Sequence, residues 1–159
     1  MRAPREFCGV VVCAMLAGLA GCKANPPGKA ETNIMTRAKR TLFVHNKSEK
    51  NPIVANTGSI ADGREAFSHY CAACHGLDGQ NTGVPFADRM APPVPLLSSA
   101  DVQAYTDGQL KWVIDYGLSP SGMPGSKGIL SDEEIWSIVV YLRHLPPAGS
   151  LGEPEMYTH

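Results

Sequence analysis

One stretch constrains the fold more than any other: Phe67-Ser68-His69-Tyr70-Cys71-Ala72-Ala73-Cys74-His75-Gly76. Its Cys-x-x-Cys-His spacing is the attachment signal for a c-type haem. Two thiols three positions apart can add to the two vinyl groups on one edge of a porphyrin. The imidazole of the next residue can then ligate the iron from one face, and a sixth ligand must come from elsewhere in the chain. A chain with this signal has to fold around a flat apolar disc. Two other readings are weaker. A thioredoxin-like pair belongs in an α/β sequence, and no strand–helix alternation is visible. A zinc site needs four ligands, and the remaining cysteines, Cys8, Cys13 and Cys22, lie far upstream.

Those upstream cysteines belong to a targeting segment. Arg2 and Arg5 give a basic start, and Phe7 to Ala20 is an apolar run of fourteen residues. That run is shorter than the ~20 residues that span a bilayer, and small residues follow it, as in a signal peptide. Leu19-Ala20-Gly21-Cys22 resembles a lipobox. The resemblance implies removal of residues 1–21 and lipidation of Cys22, which places the protein on a bacterial cell envelope. Export agrees with the haem signal, because bacteria attach haem covalently outside the cytoplasm. The haem domain is therefore expected in the periplasm, with inner or outer membrane left open. An ordinary signal peptide that leaves Cys22 free is the alternative.

Charge is uneven. Residues 23–58 hold seven basic and two acidic side chains, whereas residues 59–148 hold five and ten. The acidic body argues against nucleic acid and for a redox partner presenting a basic docking patch. A basic segment beside a lipid anchor suits anionic headgroups, and equally suits a solvated linker. Asn25-Pro26-Pro27-Gly28 and Asn51-Pro52 mark residues 22–57 as a flexible tether, with Thr41-Leu42-Phe43-Val44 as an apolar run that can pack on the domain. The haem domain is expected over 58–148 and a disordered tail over 149–159.

Within the domain, Ser59 and Asp62 read as the capping box of a first helix that presents Gly63, Phe67, Tyr70, Cys71 and Cys74 on one face. Leu77 to Asp101 is too rich in Gly and Pro for helix or central strand. It reads as a wrap along a flat cofactor, with the Pro95 carbonyl as acceptor for the second ring nitrogen of His75. Thr106 and Gln109 open another helix, on which Trp112 and Tyr116 either line the haem pocket or serve as core aromatics. Met123 lies in Ser121-Gly122-Met123-Pro124-Gly125, where the neighbouring residues forbid a helical core role. A thioether held this way suits the sixth iron position. Met90, His45, His69 and His144 compete for it. Ser131 to Glu134 opens the last helix, with Ile135, Ile138, Val139 and Leu142 as its buried stripe.

With these motifs in place, residues 58–147 resemble the class I cytochromes c, particularly the mono-haem bacterial kind found as free carriers and as oxidase or dehydrogenase subunits. Gly122-Met123-Pro124, Pro93-x-Pro95-x-Leu97, Asp107-Gly108-x-Leu110-x-Trp112 and Tyr141-Leu142-Arg143 carry the likeness. The resemblance implies an all-α fold whose first and last helices cross, Gly63 and Phe67 meeting Ile138 and Tyr141. It implies one covalent haem c, His75/Met123 ligation and one-electron transfer. Gly125 departs from the commoner Ala, which puts the packing of the methionine loop in question. The expected role is electron transfer rather than catalysis. A dedicated subunit of a larger dehydrogenase or oxidase is the second reading, and a peroxidase or gas sensor with an open iron position the third.

Overall fold

The computed structural model describes residues 44–119 and 121–158. The expected signal segment, the lipidated Cys22 and the tether as far as Phe43 lie outside the described residues. Regular structure is helical throughout what is described. The β contacts there are isolated bridges, Leu118 with Met123 and Lys127 with Leu130.

Helix α1 (Thr57–Tyr70) begins earlier than the sequence suggested. Asn56 is the N-cap: its side chain accepts from the Gly58 and Ser59 N–H groups, and the Ser59 hydroxyl accepts in return from the Asn56 N–H at 3.0 Å. Asn caps as well as Ser. The short Ser59 side chain fills the third helical position of the box, so Asp62 has no part in it. A single further turn, α2 (Ala72–His75), follows after a break at Cys71. Past the proline wrap, Ser99 caps the one-turn α3 (Ala100–Gln103), an element the proline density had hidden. Helices α4 (Asp107–Tyr116) and α5 (Asp132–Leu142) start on the expected boxes, Thr106 with Gln109 and Ser131 with Glu134.

The core forms where α1 crosses α5. Gly63 lies so close to the Ser137 backbone that an added Cβ would land on its carbonyl. This gap admits the pair Phe67 and Tyr141, whose ring centroids are 5.3 Å apart. Phe67, Leu110, Ile114, Ile135, Ile138, Val139 and Tyr141 make one buried cluster joining α1, α4 and α5. Burial of such side chains contributes roughly 1.5–3 kcal/mol each. Polar clamps add to it. Arg143 donates to Asp107, Gln103 and Tyr105, tying the end of α5 to the start of α4. The ammonium of the buried Lys111 lies 2.8 Å from Asp115 and 2.9 Å from Asp132.

Two expectations are corrected. The stretch 149–158 is packed rather than disordered. Pro154 is fully buried, a 3-10 turn forms at Glu155–Tyr157, and the Tyr157 hydroxyl donates to the Ala73 carbonyl at 2.8 Å. Its Gly and Pro content imitates a loose tail, yet those residues make turns that bring Tyr157 back to α2. The second correction concerns residues 44–56 of the supposed tether. Val44 is buried, the His45 ring meets Trp112, and Asn51 donates to the Trp136 carbonyl at 3.0 Å. Gly108 makes this docking possible, since a Cβ there would strike the Asn46 carbonyl.

Candidate haem centre

The break at Cys71 determines the geometry of the attachment motif. Cys71 ends α1 and begins α2, so both thiols and the imidazole sit on a single turn. Gly76 then leaves that turn with φ of +70°. A side chain at Gly76 would be strained twice, by that dihedral and by the Thr82 backbone close beside it. The Asn81 N–H donates to the His75 carbonyl at 2.8 Å, and the Asn81 side chain donates to Val94 at 2.8 Å. One residue thus links the turn to the proline wrap.

Cys71 is half-buried and Cys74 exposed, and both are free thiols. Burial, and then the neighbouring Cys74, push the Cys71 thiol up to about 12. His75 is buried, and that burial lowers it to about 4 against the opposing pull of the Pro95 carbonyl. Its imidazole is neutral at physiological pH, the form that ligates a metal. Nδ1 is shut off from solvent without a partner at full hydrogen-bond geometry. Pro95, the expected acceptor, supplies the backbone carbonyl that acts on the ring.

Met123 lies in a loop fastened to the end of α4. The Leu118 N–H donates to the Met123 carbonyl at 3.1 Å, and Ser126 binds the Ile114 carbonyl through both N–H and hydroxyl. Gly117, at φ of +72°, and Gly125 are both needed, because a Cβ on either would strike backbone across the loop. The Gly125 departure therefore fits this loop: the commoner Ala would collide with the Asp115 carbonyl. Met123 is partly buried against the same apolar cluster that Cys71 packs on. The competing candidates are placed as follows. His69 and His144 each set Nδ1 2.8 Å from a backbone carbonyl four residues earlier, Glu65 and Val140. His45 packs on Trp112, and Met90 is exposed, with its methyl beside Gly122. Trp112 is half-buried, with His45 and Tyr116 as its ring neighbours.

The donor set fits a covalent haem: two thiols and a neutral imidazole on one turn, an orphaned ring nitrogen beside a proline carbonyl, and a thioether on a pinned loop. Fold and site together define a c-type cytochrome of the all-α class I kind. The sequence model of the family described as cytochrome c oxidase, cbb3-type, subunit III, matches residues 58–142, and the chain belongs to that family. It is a haem-based electron-transfer protein.

Among the residues of this region that sequence reasoning missed, Asp78 is the most deeply buried. Asp78 is fully buried and accepts from Gln80, Thr82 and Gly149 at 2.9, 2.5 and 2.7 Å. Burial acts to raise its carboxyl, but the bonds from Thr82, Gly149, Gln80 and its own N–H prevail and hold it below the usual range. Next to Gly79 it carries the local signature of an ordinary turn residue.

Proposed function

We propose that this protein carries single electrons between respiratory redox partners through one haem c bound to Cys71 and Cys74 and ligated by His75 and Met123. What carries this reading is the neutral, buried His75 on the same turn as both thiols, with Met123 on the apolar cluster that Cys71 shares. Bound haem supplies the one-electron couple. The protein supplies burial, ligand choice and orientation. Pro95 orients the imidazole, while Gly117 and Gly125 hold the thioether loop against α4. Lipidation at Cys22 would tether the domain to the bacterial envelope, facing the periplasm, where a partner with a basic docking patch meets its acidic body. A second reading, a resident haem subunit of an oxidase complex, is favoured by the description of the matching family.

The test is the absorption spectrum of the exported, oxidised protein. We expect the weak far-red band of methionine-ligated ferric haem, and its loss in Met123→Ala. A wild type that lacks the band and binds cyanide readily when oxidised, or carbon monoxide once reduced, would have an open iron and overturn the carrier reading. Co-purification with a complete oxidase through high salt would select the resident-subunit reading.

A further inference from the structure

Segment 149–158 lies beyond the residues shared with the family, 58–142, yet it closes on the haem-attachment turn. Three contacts carry it there. The Tyr157 hydroxyl donates to the carbonyl of Ala73, one of the two residues between the cysteines, at 2.8 Å. The Gly149 N–H donates to the buried Asp78 at 2.7 Å. Phe86 of the wrap meets the Tyr157 ring nearly edge-on, at 6.2 Å. The fit is close: Pro154 is fully buried, and a Cβ on Gly83 would strike Glu153. Just before the segment, Gln80 also donates to the Pro146 carbonyl at 2.9 Å. The segment therefore grips the turn at Ala73 and the loop after it at Asp78, on either side of His75.

We propose that segment 149–158 is a strap that positions the attachment turn, with Tyr157 as its positioning residue, and that it helps set the reduction potential by keeping water from the His75 side. This rests on the reading of Cys71, Cys74 and His75 as haem-binding residues. Tyr157 acts through the Ala73 backbone, to which its hydroxyl donates. Opening the turn to water raises the local dielectric, which favours the more highly charged ferric state. Loosening the strap should therefore lower the potential.

The experiment compares wild-type and Tyr157→Phe holoprotein, full-length and exported. Phe keeps the ring against Phe86 and removes only the donor to Ala73. Haem that stays covalently bound under denaturing conditions in both proteins, and is lost in Cys71→Ala with Cys74→Ala, checks the underlying reading separately. Hydrogen exchange and spectroelectrochemistry then test the strap. We expect amides 72–76 to exchange about tenfold faster in Tyr157→Phe, the size that a lost hydrogen bond gives to a local opening. Amides of α5 should be unchanged and the midpoint potential lower. Truncation after Ala148 should move both readouts further in the same direction. Unchanged exchange at 72–76, or an unchanged potential, in Tyr157→Phe overturns the proposal. So does faster exchange spread evenly over the whole domain, which would make the segment a general stabiliser.

Discussion

The α1–α5 crossing and the loops around His75 are held by different physics. At the crossing, apolar side chains interlock and a missing side chain at Gly63 sets the distance between helices. Around His75 the chain is irregular, and order comes from single polar contacts: Asn81 to Val94, Asp78 to Thr82 and Gly149, Tyr157 to Ala73. Dense packing is costly to perturb anywhere. A network of individual hydrogen bonds loosens one contact at a time. The first arrangement suits a scaffold. The second suits a site whose ligand angles and water access can be adjusted without rebuilding the fold.

Gly63→Ala should break the crossing and produce the largest effect. The methyl meets a backbone carbonyl that cannot rotate away, so the helices must separate. We expect a loss of about 3 kcal/mol or more in denaturant unfolding, the upper end for overpacking. A loss under ~1 kcal/mol would show that the helices slide past each other freely, and the contrast between the two regions would fail.

Asp78→Asn probes the polar side. The carboxyl is held below its ordinary value in the folded protein, whereas an unfolded Asp titrates near ~3.9. Its stabilisation is therefore fully present above that pH and is lost as pH falls through the lower, folded value. We expect wild type to lose stability to acid below about pH 4 and the Asn variant to show a shallower acid limb. At neutral pH the variant should lose about 2 kcal/mol, the scale of hydrogen bonds to a charged group. Parallel acid limbs in urea melts would remove Asp78 from the account.

The two regions also differed in how far the sequence revealed them. Helices α4 and α5 were legible because their capping boxes and apolar stripes are local, and Gly63 was legible because a glycine inside a helical pattern calls for a close neighbour. The attachment turn was legible because its chemistry is compressed into five residues, Cys71 to His75. Asn56 was missed because two adequate caps stand three residues apart and only packing chooses between them. The roles of Asp78, Gly149 and Tyr157 were not legible. Each depends on a partner about 70 or more residues away, and a buried carboxylate in Asp-Gly has the same local signature as an exposed turn. The docking of residues 44–56 stayed hidden for the same reason, since the space above Gly108 that receives Asn46 exists only in the folded chain.

Tyr141 joins the two regions, and the smallest effect is expected there. Its ring packs on Phe67 in the crossing, and its hydroxyl donates to the Leu77 carbonyl, two residues past His75, at 2.9 Å. Tyr141→Phe keeps the ring and its apolar burial while leaving that carbonyl without its donor. A neutral hydrogen bond contributes about 1 kcal/mol net, so global stability should fall by roughly that amount. The informative readout is where the loss appears. If the loops are held by single contacts, exchange should quicken at amides 77–82 and stay unchanged at 135–142 in α5. If instead the loops are carried rigidly by the crossing, both stretches should quicken together, by the same factor. That outcome would merge the scaffold and the site into one cooperative unit and leave no room for the site to be adjusted on its own.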